Sequence, residues 1–211
     1  MIFSMKLFFF ILLSLFSIKS HASSESLWKP IQELVLKADL TSSSRERIAW
    51  TQQAMALADQ CIAKHPNEVG CYYYRGQARG IYNENIIFGY GKMLRSLFAD
   101  WQVALDRDPK FDFGGPYRMF AEVYIALPKH FGPKDLRQNL DLAIHYLKKA
   151  IQISKYPTNY LDLAEAYIKA DNLEEGKKYL ELAKQEMPKW TSHPYYSTWQ
   201  QTIKDLQKEL D

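Results

Sequence analysis

The chain has 211 residues, 14% of them aromatic and 24% charged, with a formal charge of +3. Lys6 and Lys19 lie in the first 22 residues, which hold no Asp or Glu, so the remainder carries +1 and lacks the dense Lys/Arg surface that nucleic-acid binding needs. A nucleic-acid partner is therefore excluded, and the length beyond residue 22 suits one domain around a continuous core.

The first element is a targeting segment. Lys6 precedes an uncharged apolar run of twelve residues, Leu7 to Ile18, and Ser20 and Ala22 put small side chains around a cleavage point. That order is a secretory signal peptide over residues 1–22. A membrane-spanning helix needs about 20 apolar residues, so residues 23–211 are expected as a single exported domain, periplasmic and soluble, with no stable span. No cysteine stands at the expected cut, so a lipid anchor is not expected.

From there the apolar period is helical. Helices are expected over 26–39, 45–64, 69–82, 92–107, 116–127, 136–154, 158–170, 173–186 and 195–210, with breaks at HPNEVG, DRDP, KYP and MPKW. Cys61 lies on the packing face of the second helix and Cys71 at the start of the third, across a short turn. An even cysteine count in an exported protein favours a disulfide over two buried thiols. Tyr72, Tyr73 and Tyr74 are consecutive and point in three directions, one of them into the core.

Two connections are longer than a helix hairpin needs, at 83–92 and 127–135. The first is apolar for a loop, with Ile86, Ile87, Phe88 and Tyr90, and suits a lid on a groove, a further helix or a subunit contact. Between them, "DPKFDFGGPYR" poses a choice between a phosphate-cradling turn and the start of a buried helix. A phosphate turn is normally fed by a strand, and none is readable here. Asp112 is expected as the cap, Gly114 and Gly115 as the bend, and Pro116 in the first helical turn, where its missing N–H costs nothing.

The breaks repeat. In "TNYLDLAEAYIKADNLEEGKKYLELAKQEMP", Tyr160, Leu163, Ala164 and Tyr167 share one helix face; Gly176, Leu180 and Ala183 share the next; Pro188 ends the unit. Tyr117, Phe120, Ala121 and Tyr124 precede Ala143, Leu147, Ala150 and Pro157 in the same order. Tyr72 and Gly76 precede Leu97, Trp101, Ala104 and Pro109, and Ala54, Ala58 and Cys61 precede Pro66. Over Arg45 to Pro188 this resembles the tetratricopeptide-repeat superfamily.

The resemblance implies an all-α fold: a right-handed superhelix of antiparallel helix pairs, capped by the last helix and concave on one side. It also implies which side chains face the hollow: Tyr73, Gln77, Arg118, Glu122, Leu161, Glu165 and Ile168. Arg118 is then either an anchor for a partner's carboxylate or the mate of Glu122, four residues on. The longer pattern "CYYYRGQARG", "FGGPYRMFAEVYIALPKHFG" and "AIHYLKKAI" is similar to exported repeat proteins grouped with the T component of TRAP-type transporters. That group pairs with solute-binding proteins and includes lipoproteins, whereas this chain has no acylation cysteine.

Neither serine nor cysteine has a catalytic setting, and His65, His130, His145 and His193 lack metal-ligand spacing. No enzymatic activity, cofactor or metal is expected. The expected role is binding: a protein–protein scaffold in the cell envelope, holding a protein or peptide. The alternative is a ligand-handling accessory of a transport system, holding a small apolar or carboxylated molecule. A closed cavity lined by Tyr73, Phe88 and Leu161 would favour the small molecule, and an open groove the polypeptide.

Overall fold

The computed structural model describes residues 24–84, 90–130 and 133–210. Among them, nine α-helices follow one another: α1 (Ser24–Leu40), α2 (Ser44–Lys64), α3 (Val69–Asn83), α4 (Tyr90–Arg107), α5 (Phe111–Ala126), α6 (Leu140–Ile153), α7 (Pro157–Lys169), α8 (Leu173–Glu186) and α9 (Tyr196–Leu210). The signal segment 1–22, with the insertion residues Ile86, Ile87 and Phe88, lies outside the described residues. No helix among those described is long and apolar enough to cross a membrane.

Local chemistry sets the helix starts. Ser43 Oγ accepts from the Glu46 N–H, Asn139 Oδ1 from Leu142 N–H at 3.0 Å, and Asn172 Oδ1 from Glu175 N–H, each satisfying a donor that the first turn leaves unpaired. Pro157 occupies the first turn of α7. Between α7 and α8, Asp171 adopts a left-handed φ of 59° and turns the chain back on itself. Ala164 and Ala183 are fully buried where α7 meets α8, and an added Cβ on Gly176 would press on Ile168.

Consecutive helices pack as hairpins, α1 on α2, α3 on α4, α5 on α6 and α7 on α8. The odd-numbered helices also touch in series, α1 on α3, α3 on α5 and α5 on α7, so they form one layer and the even-numbered helices back it. This is the stack of helix pairs expected from the repeats: no pair shelters its own apolar face, and each leans on the next. α9 closes the series against α7 and α8.

Close approach depends on small residues. A Cβ on Gly76 would lie 2.3 Å from Nε1 of Trp101, whose indole N–H donates to the Tyr73 carbonyl at 3.2 Å. Cys61 and Cys71 are joined as a disulfide between α2 and α3, with Cα atoms 6.1 Å apart. Closing a loop of that length contributes on the order of 2–3 kcal/mol through the unfolded chain.

Three expectations need correction. The sixth helix begins at Leu140, not at residue 136: Lys134–Leu136 form a separate 3-10 turn that buries Leu136. The chain then returns through backbone bonds from Gln138 to Pro128 and from Asn139 to Tyr124. Two of the three adjacent tyrosines are core, Tyr73 and Tyr74, because their helix is covered by α1 and α4 and by Phe111. Asp112 does not cap α5; it has left the helical conformation altogether.

Candidate functional site

The bend at the start of α5 builds the site. Asp112 (φ 47°, ψ 50°), Phe113 (φ 59°, ψ 38°) and Gly114 (φ 82°, ψ 21°) are all left-handed. For the first two, with side chains, this conformation costs on the order of 1–2 kcal/mol each. Glycine is required at the third, since a Cβ there would also stand 3.0 Å from the Ala150 backbone. The turn aims the Asp112 carboxylate inward, where Oδ2 accepts from the Tyr73 hydroxyl at 2.6 Å and from Arg118 at 2.8 Å.

Arg118, 4% exposed, holds the bend together. Its guanidinium donates to Asp112 Oδ2, to the Asp112 carbonyl at 3.3 Å, to the Tyr73 hydroxyl at 3.1 Å and to Asn159 Oδ1 at 3.1 Å. It lies 5.0 Å from the Tyr156 ring centroid and forms an ion pair with Glu122 at 3.6 Å. Asn159, fully buried on α7, donates in turn to the Phe113 and Ser154 carbonyls. Phe113 stacks on Tyr156 at 5.0 Å. Each buried polar group named here has its partner, which makes the cluster a rigid floor.

Above that floor lies a cavity of about 640 Å³. Its walls come from α1, α3, α5 and α7 of the inner layer, from Leu94, Leu97 and Trp101 of α4, and from the segment 193–202, which runs through the start of α9. That segment is anchored at both ends of the hollow. His193 Nε2 meets the Tyr156 hydroxyl at 3.3 Å and stacks on Trp199, while Tyr195 borders the hollow near Asp39 of α1. Residues near both ends of the chain thereby border the concave side.

The cavity is acidic. Among the described residues six carboxylates border it, Glu33, Asp39, Glu84, Asp112, Glu122 and Asp162, against the one guanidinium of Arg118. Glu122 and Asp162 face each other within hydrogen-bond reach. Burial pushes Glu122 up to about 7, opposed by the pull of Arg118. Burial first, then the charge of Glu122, raises Asp162 well above the ordinary carboxylate range. The pair thus holds a proton that isolated carboxylates would have released. Burial lowers His193, which keeps its imidazole neutral beside the same wall. Among the described residues no group of three or more His, Cys, Asp or Glu has the geometry of a metal site.

The residues expected to face the hollow divide into two sets. Gln77, Arg118, Glu122 and Leu161 border the cavity. Tyr73 lies beneath its floor with no exposed surface, Ile168 is packed over Gly176 between α7 and α8, and Glu165 stands to one side, paired with Lys169 at 2.8 Å. Arg118 does pair with Glu122, and its other donors are engaged, so the anchor role for an incoming carboxylate has no free donor geometry behind it.

Asp39, Tyr74, Asp112, Tyr156, Asn159, Asp162 and Tyr195 were not expected in the site. One sequence signal pointed to two of them. Asn159 and Asp162 are polar residues on a helix whose other positions from Tyr160 to Ile168 are, apart from Glu165, apolar and buried.

Residues 136–198 match the family model described as tetratricopeptide repeat, a stretch that runs through α6, α7 and α8 and includes Leu161 and Asp162. No curated protein matches the chain. Tetratricopeptide repeats stack into superhelices with extended concave binding surfaces.

Proposed function

We propose that this tetratricopeptide-repeat protein works by binding, and that the species it binds sits inside the cavity on its concave side. The observation that carries this reading is the cavity itself, bordered both by Asp39 near the start of the chain and by Tyr195 near its end. An extended polypeptide needs a continuous trough, whereas a cavity of about 640 Å³ is in the size class of small-molecule sites. Leu161 stands in the wall, Tyr73 underlies it, and Phe88 lies outside the described residues.

Export to the periplasm and service beside a solute-binding protein, as a T-component-like accessory, belong to the same proposal. The apolar run Leu7 to Ile18 and the Cys61–Cys71 disulfide support export, since such bridges persist in oxidising compartments. A second reading, a scaffold for envelope proteins, is supported by the repeat match itself, because such repeats commonly hold polypeptides.

Native mass spectrometry of protein isolated from its own host tests the choice. The expected result is a bound species of drug-like mass that is released on unfolding. Co-isolation of a polypeptide with no small molecule would favour the scaffold, and a mass equal to that of the bare chain under every gentle condition would overturn the cavity reading.

A further inference from the structure

We propose that the ligand of this cavity is an organic cation, an amine with an aromatic or aliphatic body, whose ammonium group docks between Glu122 and Asp162. The inference rests on the cavity reading above and adds its chemical class.

Charge is the first ground. The six carboxylates of the wall come from four different helices or their ends, while Arg118 is already consumed by Asp112, Tyr73, Asn159 and Tyr156. Glu84 has Arg47 at 3.8 Å and Asp39 has the Tyr195 phenol nearby. Glu122 has a 3.6 Å approach from Arg118, whose donors are already engaged, and among the described residues no basic side chain forms an ion pair with Asp162. An anionic ligand would add to this negative field; a cation relieves it.

The second ground is independent of the count of acids. Oδ2 of Asp162 is enclosed and, among the described residues, no donor other than a protonated Glu122 carboxyl stands within reach of it. A proton shared with the Glu122 carboxyl, a water molecule, or an N–H⁺ brought by a ligand can satisfy it, and only the last adds the positive charge that the acidic wall lacks. The third ground is the rest of the wall. Tyr74, Trp101, Tyr156, Tyr195 and Trp199 border the hollow, and ring faces attract cations as well as apolar bodies. Leu97 and Leu161 continue the apolar surface, so a methylene or aryl body has somewhere to lie. The acids do not converge as metal ligands do, which fits a diffuse organic cation better than a bare ion.

Docking then displaces the shared proton. The groups facing the pair are Arg118 on α5, Asp39 on α1, Glu165 on α7, and Tyr156 and Tyr195 from the flanking segments. Apart from Arg118 these are acids or phenols, so ionising the pair without a cation is opposed by neighbours of the same sign. Amine affinity therefore rises with pH across neutrality, and binding releases a proton.

Calorimetry of the full chain with phenethylamine, 3-phenylpropionate and 2-phenylethanol, at pH 6 and pH 8, decides the matter. The amine is expected to bind best, more tightly at pH 8, with proton release visible as a dependence on buffer ionisation heat. Asp162→Asn and Glu122→Gln should each weaken it by about tenfold or more, the loss of a charge-assisted hydrogen bond. Asp205→Asn, on the exposed side of α9, should leave it unchanged. Circular dichroism melts of each variant separate lost binding from lost fold. Equal or tighter binding of the alcohol or the propionate would overturn the cationic class and leave the cavity reading standing. Saturable binding of none of the three would overturn both.

Discussion

Arg118 donates to four oxygen atoms while almost wholly buried, and two of those acceptors are the carbonyl and carboxylate of Asp112 in the left-handed bend. Truncating one partner of such a cluster strands the rest, so Arg118→Ala should lower unfolding free energy in urea by about 3–5 kcal/mol. Arg118→Lys should recover little, because an ammonium cannot reproduce the planar fork. A loss below about 1 kcal/mol, the worth of an exposed pair, would show the floor to be incidental.

The Glu122–Asp162 pair has the opposite character. Its carboxyls are raised in the folded state, so between the ordinary carboxylate value of about 4 and the Glu122 value of about 7 the folded protein holds more protons than the unfolded chain. Stability contributed by the pair is therefore present at low pH and falls as pH rises through that window. Asp162→Asn should flatten the pH dependence of the melting midpoint between pH 5 and 7 relative to the parent protein. An unchanged slope would contradict the shared proton. Little of this was legible in the sequence: Asp112 looks like a helix cap, and only the left-handed bend reveals that its carboxylate turns inward.

Helices were legible because each carries its own period and punctuation, and all nine lie within a few residues of the expected limits except where tertiary contacts override local pattern. Leu136 is apolar and buried like a helical residue, yet it sits in a separate turn that plugs the stack. Gly76 makes the complementary point. In a helix, alanine in place of glycine gains up to about 1 kcal/mol, but here the new methyl would meet a buried indole that has no room to withdraw. Overpacking costs about 1–3 kcal/mol, so Gly76→Ala should lower the thermal midpoint and disturb the Trp101 environment. A stabilised protein would mean that α3 and α4 are less tightly apposed than their contact implies.

The whole molecule has a property that no single repeat carries. Superhelical curvature brings Asp39, near the start of the chain, to Tyr195, near its end, and the hollow that results is lined from both. Repeat positions predict which faces turn inward, and Gln77, Arg118, Glu122 and Leu161 do so. They do not predict how far the hollow closes, nor that Asp162 and Glu122 meet within it, because those depend on the sum of small rotations between pairs. A crystal structure of the protein with phenethylamine bound is the most direct check on this arrangement. Density in the hollow, with the nitrogen in hydrogen-bond contact with both Glu122 and Asp162 and the ring against the aromatic wall, is the expected outcome. Density confined to the outer face, with the hollow empty or collapsed, would contradict it.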